Sequence, residues 1–513
     1  MPITPLYPGV YIEELPSNSH AITAAPTSIA IFVGYTHPFM TDPAYWNVAT
    51  QIFSFTDYEN KFGGLYTSGV FESHVAYAVS QFFLNGGAVA YVVAVPPSYY
   101  DSTGTNHGPA QNPAVSVGAV QFTGLQPVDL VPMTVTINNV QTPPTIADVS
   151  ISYGPMFESY RKVNLGASTD PNFIMTRIND ISKLVTVQAP ANSSFTAVGQ
   201  AAVQTPSGVD PTWTTFSVND FTGVFAQDSS LDKLPVFNLV LIPGVADTTI
   251  WSEGLAFCER KLAFMIMDPP VQDTADGFGQ NLPLIYDDFQ GATIPKSTNG
   301  ALYFPYIKCG DPLTGNTFPL PPSGSVAGLY ATTDNNRGVW KAPAGLQTVV
   351  QNTVGVVDTG DMTDARQGTL NPIGVDCLRN VTGVGTVIWG ARTLVTENTS
   401  QQQWQYVPVR RMALFLEQTL RANLTWVVFE PNDEPLWVAI RSSIESFMLS
   451  LFQQGAFQGT KPSDAFQVLC DGTTTTQQDI DTGVVNILVA FAPLKPAEFV
   501  IIQIAQLAGQ SQS

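Results

Sequence analysis

Charge is what this sequence has least of. Of 513 residues, 12% are Asp, Glu, Lys or Arg, about half the ~25% usual in soluble globular chains. A surface so poor in charge is covered by Thr, Ser, Gln and Asn, or is buried against other copies. The charge that is present leans one way, 41 acidic against 21 basic side chains for a formal net charge of −20. That excludes nucleic acid, which is held by Lys and Arg neutralising phosphates, and disfavours anionic membrane surfaces for the same reason. Long apolar runs are missing too. The best, Val484–Leu494 and Phe499–Leu507, are strand-length, short of the ~18 residues of a membrane span, so no direct membrane insertion is expected. No basic residue precedes Lys61, so there is no positive n-region of a secretory signal peptide and synthesis in a reducing cytoplasm is expected.

Cysteine is scarce. Cys258, Cys309, Cys377 and Cys470 lie far apart with no C-x-x-C, which predicts buried free thiols rather than a disulfide framework. His20, His37, His74 and His107 all fall in the first quarter of the chain, without an i,i+4 pair or a neighbouring cysteine. They read as surface or loop residues rather than metal ligands. Nucleophile elbows, Walker loops, zinc-protease helices, calcium loops and dinucleotide fingerprints are absent. Gly383-Val-Gly-Thr-Val-Ile-Trp-Gly390 has the wrong spacing for G-x-G-x-x-G and reads as a turn entering the strand Val387–Trp389. Glu13-Glu14 and Asp287-Asp288 are sequence neighbours, and on a strand they point to opposite faces. The expectation is no catalytic, cofactor-binding or metal-binding residue, and no enzyme.

What is there is 44% apolar residue, enough to build cores over a length that calls for about two to four domains. Residues 1–27 read as an extended arm, since three prolines in the first eight positions forbid a helix. Termini are ordinarily polar, yet this one carries Ile3, Leu6, Tyr7, Val10, Tyr11, Ile12 and Leu15, and an apolar extended arm needs a surface to lie on. Within 28–96, the strand Ser28–Tyr35, the helix Val70–Leu84 capped by Asn85-Gly86-Gly87, and the strand Ala90–Val95 form a βαβ unit. Residues 97–234 are rich in Thr, Val, Ser, Asn and Pro without helical period, and read as a β-rich inserted domain with strands such as Pro132–Val140 and Lys183–Gln188. The α/β rhythm resumes over 235–395, with the strand Val236–Ile242, the helix Thr249–Lys261 and the strand Leu262–Met267.

A C-terminal α/β domain follows at 396–482, with helices Val409–Asn423 and Glu434–Phe452 around a strand Thr425–Glu430, then a strand at Ala465–Cys470. Residues 483–513 are a strand arm, Gly483–Phe491 and Glu498–Ile504, before a polar tail. The fold class expected is mixed α/β (α+β), an inner domain built from both ends of the chain with a β-rich outer insertion. Arg410 and Arg411 open a helix where the macrodipole prefers anions. They point either to an acidic partner or to an internal pair with Glu417 or Asp433.

Several segments, in chain order, resemble the contractile tail sheath family of phage tails, tailocins and extracellular contractile injection systems. Pro5-Leu-Tyr-Pro-Gly-Val-Tyr-Ile-Glu-Glu14 is similar to the family's opening P-G-V-Y-x-E-E arm, Thr27–Gly34 to its first strand and Phe82–Val95 to its next helix end and strand. Gly300–Tyr306 with Asp311-Pro312, Pro321–Ala344 around R-G-V-W-K-A-P, Leu370–Gly374, Trp389–Leu394, Val407–Glu417, Phe429–Glu434 and Ala492–Val500 follow in the family's order. Val381-Thr-Gly-Val-Gly385 stands where the family carries F-P-G-R-G. The resemblance covers about residues 1–95 and 235–507.

It implies a non-catalytic homo-oligomer without cofactor, made in the bacterial cytoplasm and stacked as hexameric rings around an inner tube protein, with baseplate and terminal cap proteins at its ends. The N-terminal apolar residues, with Phe499, Val500, Ile501, Ile502 and Ile504, would join neighbouring subunits by strand addition. Arg410, Arg411 and Arg421 are the candidates to face an acidic tube. Contraction would be a rigid-body movement with hinging arms. A baseplate or fibre component is the rival structural reading, and a secreted hydrolase the rival of another class.

Overall fold

The structure, a computed structural model, describes residues 20–66, 73–126, 132–154, 156–202, 210, 212, 217–270, 294–357, 362–395 and 400–503. They fall into two compact units, one of residues 26–411 and one of the described residues before and after that stretch. The dividing points are Ala25/Pro26 and Arg411/Met412, two and sixteen residues from the boundaries expected at 27/28 and 395/396. The proline-rich opening, residues 1–19, lies outside the described residues.

The larger unit is organised by β1 (Ala30–Gly34), β3 (Ala90–Ala94), β13 (Leu239–Leu241), β14 (Phe264–Met267), β15 (Gly300–Phe304) and β19 (Val375–Val381). β-branched and aromatic runs buried on both faces favour parallel pairing under covering helices. The order is β3-β1-β13-β14-β15-β19, every neighbour parallel. Antiparallel β2 (Thr50–Ile52) and β20 (Gly385–Ile388) close the two edges. The chain leaves β1 for β3 on one side and later lays β13 on the other, so the topological switch lies between β1 and β13. One core on this sheet is built from Ile31, Val33, Val240, Met265, Leu302 and Phe304 with Trp251 and Phe257 of the helix Thr248–Lys261.

Helices Val75–Leu84 and Ser323–Arg337 touch backbone to backbone. A Cβ at Gly324 would stand 2.3 Å from the Ala78 carbonyl oxygen, and one at Gly328 would stand 2.6 Å from that of Phe82. Glycines four apart let the axes approach to this distance, and Thr332 Oγ1 donates to the Asn85 carbonyl at the far end of the contact (2.7 Å).

The 97–234 stretch contains the β-rich part expected. A four-stranded sheet of β10 (Met156–Asn164), β9 (Ile146–Tyr153), β8 (Met133–Asn138) and β12 (Val198–Ala202) and a three-stranded one of β11 (Val185–Gln188), β7 (Val120–Gly124) and β6 (Ala114–Val117) share one apolar core. Strict alternation in β9 buries Ala147, Val149, Ile151 and Tyr153. Phe39, from the loop after β1, is driven into that core with its ring centroid 4.9 Å from that of Tyr153. Small sheets of β4 (Ser98–Tyr100) with β5 (Asn106–Pro109), and of β17 (Thr317–Leu320), β16 (Ile307–Gly310) and β18 (Thr353–Val356), complete the unit. All four cysteines are free and buried.

In the smaller unit the helix Glu434–Gln453 buries Leu436, Trp437, Ile440, Ile444, Phe447 and Leu451 at spacings of three and four. β21 (Phe466–Leu469) and β22 (Leu488–Phe491) form an antiparallel pair. Residues 20–25 run along the end of the helix Val407–Asn423. Asn423 exchanges two hydrogen bonds with the Thr23 backbone (2.9 and 2.8 Å), Thr419 Oγ1 accepts from Ala25 N–H (3.1 Å), and His20 stacks on Trp426.

Four expectations need correction. Thr425–Glu430 is not a strand but a one-turn 3-10 helix, Thr425–Val427, followed by a turn, because no neighbouring strand offers it a ladder. The strand expected over Gly483–Phe491 holds only at Leu488–Phe491, where β21 pairs with it. Residues 498–503, read as part of the strand Glu498–Ile504, belong to no strand among the described residues, and Ile504 lies outside them. His37 is buried rather than superficial, with Nδ1 accepting the Phe39 N–H, and His74 is enclosed beside Gly244 and Tyr306.

The glycine contact generates a test. Gly324→Val must drive two helix backbones apart, and overpacking of this kind costs about 3 kcal/mol or more. A melting temperature clearly below the parent's is expected, and an unchanged one would mean that the helices do not touch there.

Candidate functional site

In open α/β sheets ligands sit outside the carboxyl ends of the strands, at the switch point. Here that crevice, between β1 and β13, is filled by the chain itself. Tyr35, just past β1, packs edge-on against Phe221 (5.4 Å between centroids). Its hydroxyl donates to Asp220 Oδ2 (2.6 Å), while Asp220 Oδ1 accepts from Tyr100 Oη and the Ser98 N–H (both 2.9 Å). Burial holds the Asp220 carboxyl above its ordinary range, against the lowering effect of those donors.

One strand further, Asp268 accepts from Ser323 N–H and Oγ (2.8 and 2.7 Å) and from Gly244 N–H (3.1 Å). Burial pushes it up to about 6. Each acid is thus spent on the chain's own donors, Asp220 joining the insertion to the sheet and Asp268 capping the helix Ser323–Arg337. Among the described residues, no three His, Cys, Asp or Glu converge as metal ligands do.

The three candidate arginines part company. Arg411 is buried, its guanidinium gripping Asp334 through Nη1 (2.9 Å) and Nη2 (2.6 Å), donating to the Thr27 carbonyl and lying 4.6 Å over the Tyr330 ring. Burial, the largest single effect, presses its pKa down, but the charge and hydrogen bonds of Asp334 together with Tyr330 and Tyr303 outweigh it and the net shift is upward. Neither Glu417 nor Asp433 is this partner, and a guanidinium so enclosed has no surface to offer a tube. Arg410 is half-buried, donates Nε–H to Asn299 Oδ1 (3.1 Å) and lies over Trp404. Arg421 is exposed.

The smaller unit displays what the larger one hides. Among the described residues, no strand lies on the outer edge of either β21 or β22. Phe499, Val500, Ile501 and Ile502 are 73 to 83% exposed, four apolar side chains in a row with nothing over them. Ile3, Leu6, Tyr7, Val10, Tyr11, Ile12 and Leu15, their proposed counterparts, lie outside the described residues. Sequence reasoning missed Phe429, which is wholly exposed at a φ of 72°. Val-Val-Phe read as a strand, and only the Pro431-Asn432-Asp433 run hinted at a turn.

Comparison with known proteins follows these surfaces. A model of the phage tail sheath protein central domain matches residues 216–394, and one of the phage tail sheath C-terminal domain matches residues 399–506, together more than half of the chain. The tail sheath protein of Vibrio phage KVP40 is 28% identical over 182 residues, 35% of this chain and 25% of that protein. A putative prophage major tail sheath protein of Pseudomonas aeruginosa strain UCBPP-PA14 is 28% identical over 199 residues, 38% of this chain and 48% of that one. The aligned parts thus span a quarter to a half of these relatives. The contracted PVC sheath complex of an extracellular contractile injection system superposes with a TM-score of 0.58 at 23% identity, covering 98% of both chains, a likeness of fold.

Two predictions arise here. Arg411→Met leaves Asp334 buried and unpaired, at a cost of about 3–5 kcal/mol. The double variant Arg411→Met, Asp334→Leu should recover most of it in urea unfolding; equal loss in single and double variants would refute the pairing. The second concerns pH. Burial lowers His37 and His74 from 6.5 to about 4. Stability present above pH 6.5 is therefore lost as pH falls toward 4, at about 1.4 kcal/mol per unit and histidine. Asp268 works oppositely, its contribution being full below 3.8 and lost as pH rises through about 6. Asp220, also raised by burial, works in the direction of Asp268, but the two histidines pass through 6.5 within the interval and leave a lower unfolding midpoint at pH 5 than at pH 7, and an equal or higher midpoint would contradict this.

Proposed function

The chain belongs to the contractile tail sheath family, and we propose on that footing that it is a structural subunit that polymerises as stacked hexameric rings around an inner tube and contracts to drive the tube through a target envelope. The observation that carries the reading is the open two-stranded sheet of the smaller unit beside an uncovered apolar segment. Unpaired strand edges are an aggregation hazard that soluble monomers blunt. A chain that keeps two such edges and four exposed apolar residues in a row is built for strand addition, with main-chain hydrogen bonds supplying affinity and side chains register. Copies joined in this way would form a mesh rather than a closed dimer where each subunit gives its arm to one copy and receives that of another.

The driving free energy would lie in the lattice. A difference of ~1–2 kcal/mol per subunit, the scale of a few contacts, sums to hundreds over a long sheath, and no nucleotide is required. Baseplate and terminal cap proteins would bound the polymer, and the β-rich 97–234 insertion would form its outer coat. Arg410 and Arg421 remain the arginines proposed to meet an acidic tube, each on its own unit. The particle would be a phage tail, a tailocin or a free injection system.

Electron microscopy of the purified protein, alone and with its tube protein, tests this. Hollow striated cylinders are expected, lost on deletion of residues 490–513 and strengthened by salt that screens the charge of −20. Monomers under every salt condition, even with tube protein present, would favour a baseplate or fibre component.

A further inference from the structure

Phe429 occupies a backbone position that ordinarily belongs to glycine. It follows the one-turn helix Thr425–Val427 and has a φ of 72°, a region that costs a bulky L-residue about 1–2 kcal/mol and that glycine enters freely. The other described non-glycine residues with positive φ are mostly Asn or Asp, apart from Lys162 in the bulge of β10 and Leu262 at a helix end. Phe429 gains nothing from its own fold, since its ring is wholly exposed and the preceding Val428 is 61% exposed. Strain and apolar exposure at one residue are retained where the side chain serves something outside the chain.

The turn that presents it is braced. Glu430 N–H reaches back to the Val427 carbonyl (3.2 Å). Asn432 accepts from the buried Trp437 Nε1 (2.8 Å) and donates to the Val484 carbonyl (3.0 Å). That last bond ties the turn to the segment that runs into β22, whose first residue, Leu488, is 51% exposed. The turn that carries Phe429 is thereby fixed to the segment that enters β22.

We infer that Phe429 is a docking anchor for a second copy of this chain, seating the apolar segment Phe499–Ile502 of that copy as it comes to the outer edge of β22. The inference rests on the sheath reading. Charge selects the occupant. Glu430, Asp433 and Glu434 flank the turn, and the chain as a whole is strongly acidic, so an arriving segment must not be acidic itself. Residues 499–513 contain no charged side chain, and Phe499, Val500, Ile501 and Ile502 among them are apolar and exposed. A rigid aromatic on a braced turn is the residue type that dominates interface energetics.

Phe429→Gly separates docking from folding, because glycine relieves the backbone while deleting the ring. The full-length variant should melt no lower than its parent, yet need at least about tenfold higher concentration to form cylinders, the effect of losing a hot-spot aromatic. Photoreactive benzoylphenylalanine at position 429, in cylinders mixed from heavy- and light-isotope chains, should cross-link to the peptide carrying residues 499–503 of a different copy. Cylinders forming at the parent's concentration, a variant melting well below the parent, or cross-links to the tube protein would each overturn the inference. A parent chain that never polymerises would instead overturn the sheath reading on which it rests.

Discussion

A strand edge that has no partner among the described residues is the constraint from which the rest follows. Backbone N–H and C=O groups along the outer edges of β21 and β22 must be satisfied by water or by another strand. Beside them the chain leaves Phe499–Ile502 in solvent. Burying four such side chains would contribute several kcal/mol at the ~1.5–3 kcal/mol of a fully buried large apolar side chain. The scarcity of charge takes its meaning here. A surface with 12% charged residues is costly to keep monodisperse and cheap to bury against copies of itself.

The larger unit shows the opposite policy around the carboxyl ends of its sheet, where Asp220 and Asp268 are met by donors of the same chain. Its parallel sheet carries polar residues at the carboxyl ends, where many α/β proteins hold ligands, and turns them inward. Tyr35, Tyr100 and Asp220 stitch the β-rich insertion to β1, while Asp268 caps a buried helix. Phe39 enters the sandwich core, and glycines 324 and 328 bring two helices into backbone contact. Arg411 holds Asp334, and through Thr27 it holds the backbone just after the division at Ala25/Pro26.

Much of this was legible in the sequence. The βαβ unit around Ala30–Gly34 and Ala90–Ala94 announces itself through β-branched runs and the Asn85-Gly86-Gly87 cap, and the spacing of Trp437, Ile440, Ile444 and Phe447 fixes a helix face. What could not be read depends on partners distant in sequence. Arg411 was legible as a cation in want of an acid, either in a partner or in the chain, but Asp334 could not be named because it is 77 residues away. Residues 498–503 and Gly483–Phe491 looked like strands because their composition suits a ladder, but a ladder needs a neighbour. Val428-Phe429 looked like part of a strand because apolar runs carry no mark of the backbone angle that turns them outward. The apolar character of the terminal arm was visible, whereas the open sheet edge that gives it a destination needed the fold.

Amide hydrogen–deuterium exchange, compared between dispersed subunits and assembled polymer, tests the central claim most directly. Peptides covering Phe466–Leu469, Leu488–Phe491 and residues 499–503 should exchange within seconds at their outward-facing amides in dispersed subunits, and slow by orders of magnitude on assembly as ladders form between copies. Protection already complete in the dispersed chain, or equally fast exchange in both states, would mean that these edges are not where copies join.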